Sequence, residues 1–126
     1  MKTAREIFER AMQLCGYING DGVPDRLRDA DIFKRALPIV NQIYVDMFFV
    51  EQPEGEFLPI RSMDEAIPLS VRCVNDIMPY GVAMLLAQAE GDATTQSVFS
   101  YAYNQKRGSG VRGQHTIADV LPRGEW

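Results

Sequence analysis

His115 is the only histidine of the chain and stands in a glycine-rich stretch, so no histidine-based acid–base dyad or histidine-rich metal site can be assembled. Asp76, two residues after Val74, is the one acid close to the apolar centre of the sequence. A half-buried carboxylate there could move a proton. Pairing with Arg72, or with an arginine from another helix, is the plainer expectation. Cys15 and Cys73 share no C-x-x-C spacing and sit beside apolar neighbours at helical positions. That predicts buried, unpaired thiols and a reducing compartment. No G-x-S-x-G elbow, P-loop or H-E-x-x-H string occurs. The expectation is a protein with no catalytic residue, no metal and no cofactor.

Two suggestive strings fail on context. Asn19, Asp21 and Gly22 match the third, fifth and sixth positions of an EF-hand loop, but that register places Tyr17 and Arg28 where the anchoring carboxylates belong. Asn19–Asp25 therefore reads as a turn-rich loop. Gly108-Ser-Gly110-Val-Arg-Gly113 spells G-x-G-x-x-G, yet it follows a helical pattern and lacks the βαβ unit that gives the string its chemistry. Lys106, Arg107, Arg112 and Arg123 outnumber Asp119 and Glu125 in the last segment. Lys106, Arg107 and Arg112 are candidate non-specific contacts to DNA phosphates; cations favoured by a helix dipole are the simpler reading.

The elements that must position these groups are helices. The chain has 126 residues, 46% apolar and 24% charged, with a net charge of −4, which suits one globular domain and does not recommend a dedicated nucleic-acid binder. Met1–Glu6 shows no apolar run behind a basic head, so a cytoplasmic site of synthesis is expected. Thr3 and Glu6 fit a capping box, Ala4, Ile7, Phe8, Ala11, Leu14 and Cys15 share a face, and Gly16 is a natural stop. A second helix is expected from about Asp25 to Val50. Leu27, Ala30, Phe33, Leu37, Val40, Tyr44 and Met47 form its stripe, Ile43 and Phe48 widen it, and Pro38 kinks it. Its apolar second half is a candidate subunit surface through Tyr44, Met47, Phe48 and Phe49.

Residues 51–64, with Pro53, Gly55 and Pro59, read as the main loop, in which Phe57–Ile60 could be extended. Ser70 is a fair N-cap for the central helix, which runs to Gly91 and is apolar on every side. Its uninterrupted apolar run, Val82 to Ala87, is far too short for a membrane span. Pro79 and Gly81 are expected to kink this helix and to admit another, the first or the second. Asp92 caps a fourth helix through about Arg107, with Thr95, Val98, Phe99, Ala102 and Tyr103 inward. The fold expected is all-α, a small bundle of about four helices over residues 1–107. Residues 108–126 would form an extended arm whose Ile117, Val120, Leu121 and Trp126 dock on a partner or a second copy.

The order of these features resembles the head-to-tail connector (adaptor) proteins of tailed bacteriophages and prophages. The resemblance rests on Ile67-Pro-Leu-Ser70, Val74-Asn-Asp-Ile-Met-Pro-Tyr-Gly-Val-Ala-Met-Leu-Leu-Ala-Gln-Ala-Glu-Gly-Asp92, Tyr103-Asn-Gln-Lys-Arg107 and Asp119-Val-Leu-Pro-Arg-Gly124. Ala4-Arg-Glu-Ile-Phe-Glu-Arg-Ala11 and Arg35-Ala-Leu-Pro-Ile-Val-Asn-Gln-Ile-Tyr44 are similar too. These are packing patterns spanning most of the chain and carry no chemical signature. The resemblance implies a ring homo-oligomer in the virion neck that matches the portal's symmetry, binds the portal and a head-closure or tail protein, and surrounds DNA as channel content. It implies no membrane partner. The alternative reading is a helical regulator that binds DNA or a partner helix; an enzyme comes last.

Overall fold

The computed structural model describes residues 2–18, 20, 22–24 and 30–114, the last five as backbone alone. Helix α1 spans Ala4–Cys15. Its start is the expected capping box: Thr3 Oγ1 accepts the Glu6 N–H at 3.2 Å, and Glu6 Oε1 accepts the Thr3 N–H at 3.1 Å. Its end is Gly16 at φ 80°, a left-handed turn that glycine adopts without a Cβ penalty. Ala4, Ile7, Phe8, Ala11 and Met12 are buried, while Leu14 and Cys15 sit half-buried at the margin of the core.

The single kinked helix expected over 25–50 is two helices among the described residues, α2 (Ala30–Lys34) and α3 (Ala36–Glu51). The break falls at Arg35, whose N–H turns back to Ile32 O at 3.0 Å. Pro38 becomes the third residue of α3, where an N–H has no intrahelical carbonyl to meet. Ile39 is the first to bond back, to Arg35 O at 3.2 Å. Starting a new helix thus removes the interior-proline penalty that a continuous helix would carry. The buried stripe shifts with the break: Ile32 and Ala36 are inside, Ala30 is exposed, and Phe33 and Leu37 are half-buried. Val40, Ile43, Tyr44, Met47 and Phe48 keep their inward places. Leu27 and Arg28 lie outside the described residues.

Residues 52–70 form the long connection, and no strand occurs among the described residues. The expected extended piece is held by a side chain instead of a ladder. Asn41 of α3 donates Nδ2 to Ile60 O at 3.0 Å and accepts the Ile60 N–H on Oδ1 at 2.9 Å. Further on, one isolated bridge pairs Thr3 with Ala66. Ala4 N–H meets Glu65 O, and Ile67 N–H meets Lys2 O, each at 2.9 Å. The connection is therefore laced to the start of α1 and the middle of α3.

Ser70 Oγ accepts the Cys73 N–H at 3.2 Å, the expected N-cap. The chain then passes through a π-helical turn, Cys73–Ile77, in which Met78 N–H reaches back to Cys73 O, before α4 (Met78–Ala89). Pro79 follows this wide turn directly. A proline ring clashes with the carbonyl four residues back and donates no hydrogen bond. The extra residue of a π turn provides the local adjustment that accommodates it inside a continuous helical rod. Gly91 at φ 72° ends the segment, and Asp92 Oδ1 accepts the Thr95 N–H at 3.1 Å to start α5 (Ala93–Gln114).

Helix α4 is the centre of an all-α bundle, packed against α1, α3 and α5. Met78, Pro79, Gly81, Val82, Ala83, Leu86 and Ala87 are buried along it. At Gly81 the second of the expected neighbours is present through α3, but α5 comes closer. A Cβ there would stand 2.7 Å from Tyr103 Cε1 and 3.0 Å from Ile43 Cδ1, so the last helix makes the closest approach and α3 the next. Helix α5 also runs past Arg107, the expected end, to Gln114. Gly108, Gly110 and Gly113 each cost about 1 kcal/mol against alanine, yet keep the N–H that continues the helix. The stretch assigned to the arm therefore begins as helix. Val98, expected inward, is 60% exposed, whereas Tyr103 is buried.

Candidate functional site

The polar chemistry of the described residues gathers where α5 meets α3 and the π turn. Asp46 interrupts the apolar run of α3, from Ile43 to Val50, as its single charge. Tyr103 donates its hydroxyl to Asp46 Oδ2 at 2.5 Å, and Arg107 forks onto the same carboxylate at 2.8 and 3.0 Å. The two-pronged guanidinium contact is the strong form of such a pair. Burial, then the bond to Asp46, raises the Tyr103 hydroxyl far above the usual tyrosine range, and the Asp46 bond raises Arg107 as well. One turn away, Lys106 Nζ lies 2.8 Å from Asp76 Oδ1 and 4.6 Å from the centre of the Tyr80 ring.

These contacts answer several sequence expectations at once. Asp76 pairs with a lysine of α5, not with Arg72 or another arginine. Lys106 and Arg107, the candidate DNA contacts, spend their charge on two carboxylates of their own chain. A phosphate would have to compete with those acids. Arg112 falls in the backbone-only part of α5. The Asp46–Tyr103–Arg107 cluster was not anticipated; the signal was a lone acid in an apolar run, together with a tyrosine and an arginine four residues apart.

Tyr44, Met47 and Phe48, expected on a subunit surface, are 5%, 1% and 6% exposed. The physical reason is the loop. Phe57 folds back over α3, with ring centres 4.9 Å from Tyr44 and 5.5 Å from Phe48, and covers the apolar surplus within the chain. Phe49 alone of the four remains outside, 44% exposed. Ile117, Val120, Leu121 and Trp126 lie outside the described residues, as do Asn19, Asp21 and His115.

Other outward apolar groups are Leu58 and Val71 near the loop, and Val98 and Tyr101 on α5. The α5 pair belongs to a helix stretch, Ala93–Gln105, without one charged side chain. An ordinary solvent face is rich in Lys and Glu, whereas interface centres lose charge and gain aromatics. A second uncovered feature is an open groove of about 490 Å³ between the first turns of α3 and the last turns of α4. Pro38, Ile39, Leu85 and Ala89 make its apolar lining, with Arg35, Gln42 and Gln88 around them.

Both thiols are unpaired. Burial pushes Cys15 up to about 11 and Cys73 up to about 12, so neither is poised as a nucleophile near neutral pH. Among the described residues no group of three or more His, Cys, Asp or Glu side chains could hold a metal ion. No helix of the described residues is long and apolar enough to cross a membrane. The fold and its surfaces define a small all-α bundle whose last helix is clasped by ion pairs and presents an uncharged outer face. Comparison with protein-family models, curated proteins and solved structures finds no match.

Proposed function

We propose that this chain is a structural protein of the phage neck, a head-to-tail connector that forms a ring on the portal and continues the DNA channel. The observation that carries an assembly role is α5. Lys106 and Arg107 turn onto Asp76 and Asp46, and the outer face offers Val98 and Tyr101 with no charge from Ala93 to Gln105. That surface suits contact with protein better than contact with phosphates. The narrower identity, a tailed-phage or prophage connector, is supported by the resemblance of the Ile67–Asp92, Tyr103–Arg107 and Asp119–Gly124 blocks.

In this role the bundle acts by assembly and not by catalysis. Phe49, Val98 and Tyr101 supply apolar area for neighbouring copies, and the last segment adds contacts once a groove is offered to it. The net charge of −4 keeps a DNA channel from gripping its contents. Ring copies would match the portal's symmetry, with a head-closure or tail protein on the far side, in a virion assembled in a bacterial cytoplasm. Mixing the purified chain with its cognate portal and imaging the product by electron microscopy tests this. A ring seated on the portal is expected; no binding and no ring in any mixture would overturn it.

A further inference from the structure

An apolar groove lies open between α3 and α4. We infer that it receives the Ile117–Trp126 segment of a second copy of this chain. This rests on the assembly reading above and adds the identity of the contact. The segment carries Ile117, Val120, Leu121 and Trp126 among ten residues, and one of its acids, Asp119, lies between the first two. The groove offers Pro38, Ile39, Leu85 and Ala89, and Arg35 is its one ionic lining group. Apolar groups thus face apolar groups, and the acid faces the cation.

Reach decides between the chain's own groove and that of another copy. Helices α4 and α5 run antiparallel about Gly91, with Gly81 against Tyr103 and Asp76 against Lys106. The groove floor, Leu85 to Ala89, is then level with about residues 94–99 of α5. At 1.5 Å per residue, Gln114 stands roughly 22–30 Å beyond that level. Ile117 follows Gln114 by three residues, a reach of about 10 Å, and Leu121 by seven, about 25 Å only if fully straight. The first apolar groups of the segment cannot return to their own groove, so they fill a neighbour's. Groove and segment are different patches, so a bound pair leaves one groove and one segment free. Such a head-to-tail contact propagates until it closes on itself.

Trp126 is the only tryptophan, so its emission reports on the segment directly. A dilution series of the full chain, followed by fluorescence and by sedimentation, is expected to show a blue shift that rises with self-association. Ile39→Lys and Ala89→Lys in the groove, and Leu121→Asp in the segment, should each move the midpoint at least ten-fold higher in concentration without loss of helical circular dichroism. Ile39→Lys mixed with Leu121→Asp should restore association, because one supplies the segment and the other the groove.

A shift independent of concentration, or one indifferent to both groove variants, overturns the inference. So does a solvent-like Trp126 at every concentration, or a shift that appears only when portal is added. Portal capture is scored separately, so failure here and failure of the connector reading remain distinct.

Discussion

Tyr103 of α5 lies against Gly81 of α4 so closely that a Cβ on the glycine would stand 2.7 Å from its ring. The ring cannot yield, because its hydroxyl is bound to Asp46 on a third helix. Helix propensity favours alanine over glycine by about 1 kcal/mol, while overpacking a core costs about 1–3 kcal/mol. Gly81→Ala is expected to lower stability by up to about 2 kcal/mol, read as a lower urea midpoint. Tyr103→Leu in the same chain should reduce that loss. A Gly81→Ala chain that gains stability would show that the two helices move apart freely.

The Asp46 carboxylate serves two partners, so removing it should cost more than removing one of them. Tyr103→Phe gives up one hydrogen bond, about 1 kcal/mol. Asp46→Ala leaves a buried hydroxyl and the Arg107 guanidinium without their acceptor, roughly 2 kcal/mol after allowance for the partial exposure of Arg107. Denaturant titration of both variants checks the order. Equal losses would mean that the arginine fork contributes nothing.

Alkaline pH should weaken the fold. Burial holds Cys15 at about 11, Cys73 at about 12 and Tyr17 at about 12, and raises Tyr103 further. The unfolded chain releases the same protons near the ordinary thiol and tyrosine values, about 8.5 and 10. With folded values above unfolded ones, the stability is fully present below about pH 8.5 and declines as pH climbs through 11 to 12. Urea midpoints from pH 7 to 11 should be level and then fall, and Cys15→Ala should shallow the descent. A level profile to pH 11 would contradict the burial of these groups.

Asn41 is the one residue that pins Ile60 in both directions. Asn41→Ala strips both bonds and is expected to cost roughly 1–3 kcal/mol. Limited proteolysis should then cut residues 52–59 several-fold faster, with helical circular dichroism unchanged. Unaltered cleavage would mean that Phe57, packed on Tyr44 and Phe48, holds the loop alone.

What the sequence determined by itself is what local energetics decide. The Thr3–Glu6 capping box, the Gly16 and Gly91 stops, the Ser70 and Asp92 caps and the central apolar helix all involve groups within a turn of each other, so spacing alone exposes them. What only the tertiary structure decided is which distant group meets which. Asp46 and Arg107 are 61 residues apart and Asn41 and Ile60 are 19 apart, and no periodicity announces either pair. The same holds for burial. Tyr44, Met47 and Phe48 look like a surface for another subunit until Phe57 closes over them, because an apolar stripe records a need for cover and not its source. Pro38 is a third case: its ring disfavours a smooth helix, and the break falls three residues earlier, at Arg35, between the buried Ile32 and Ala36.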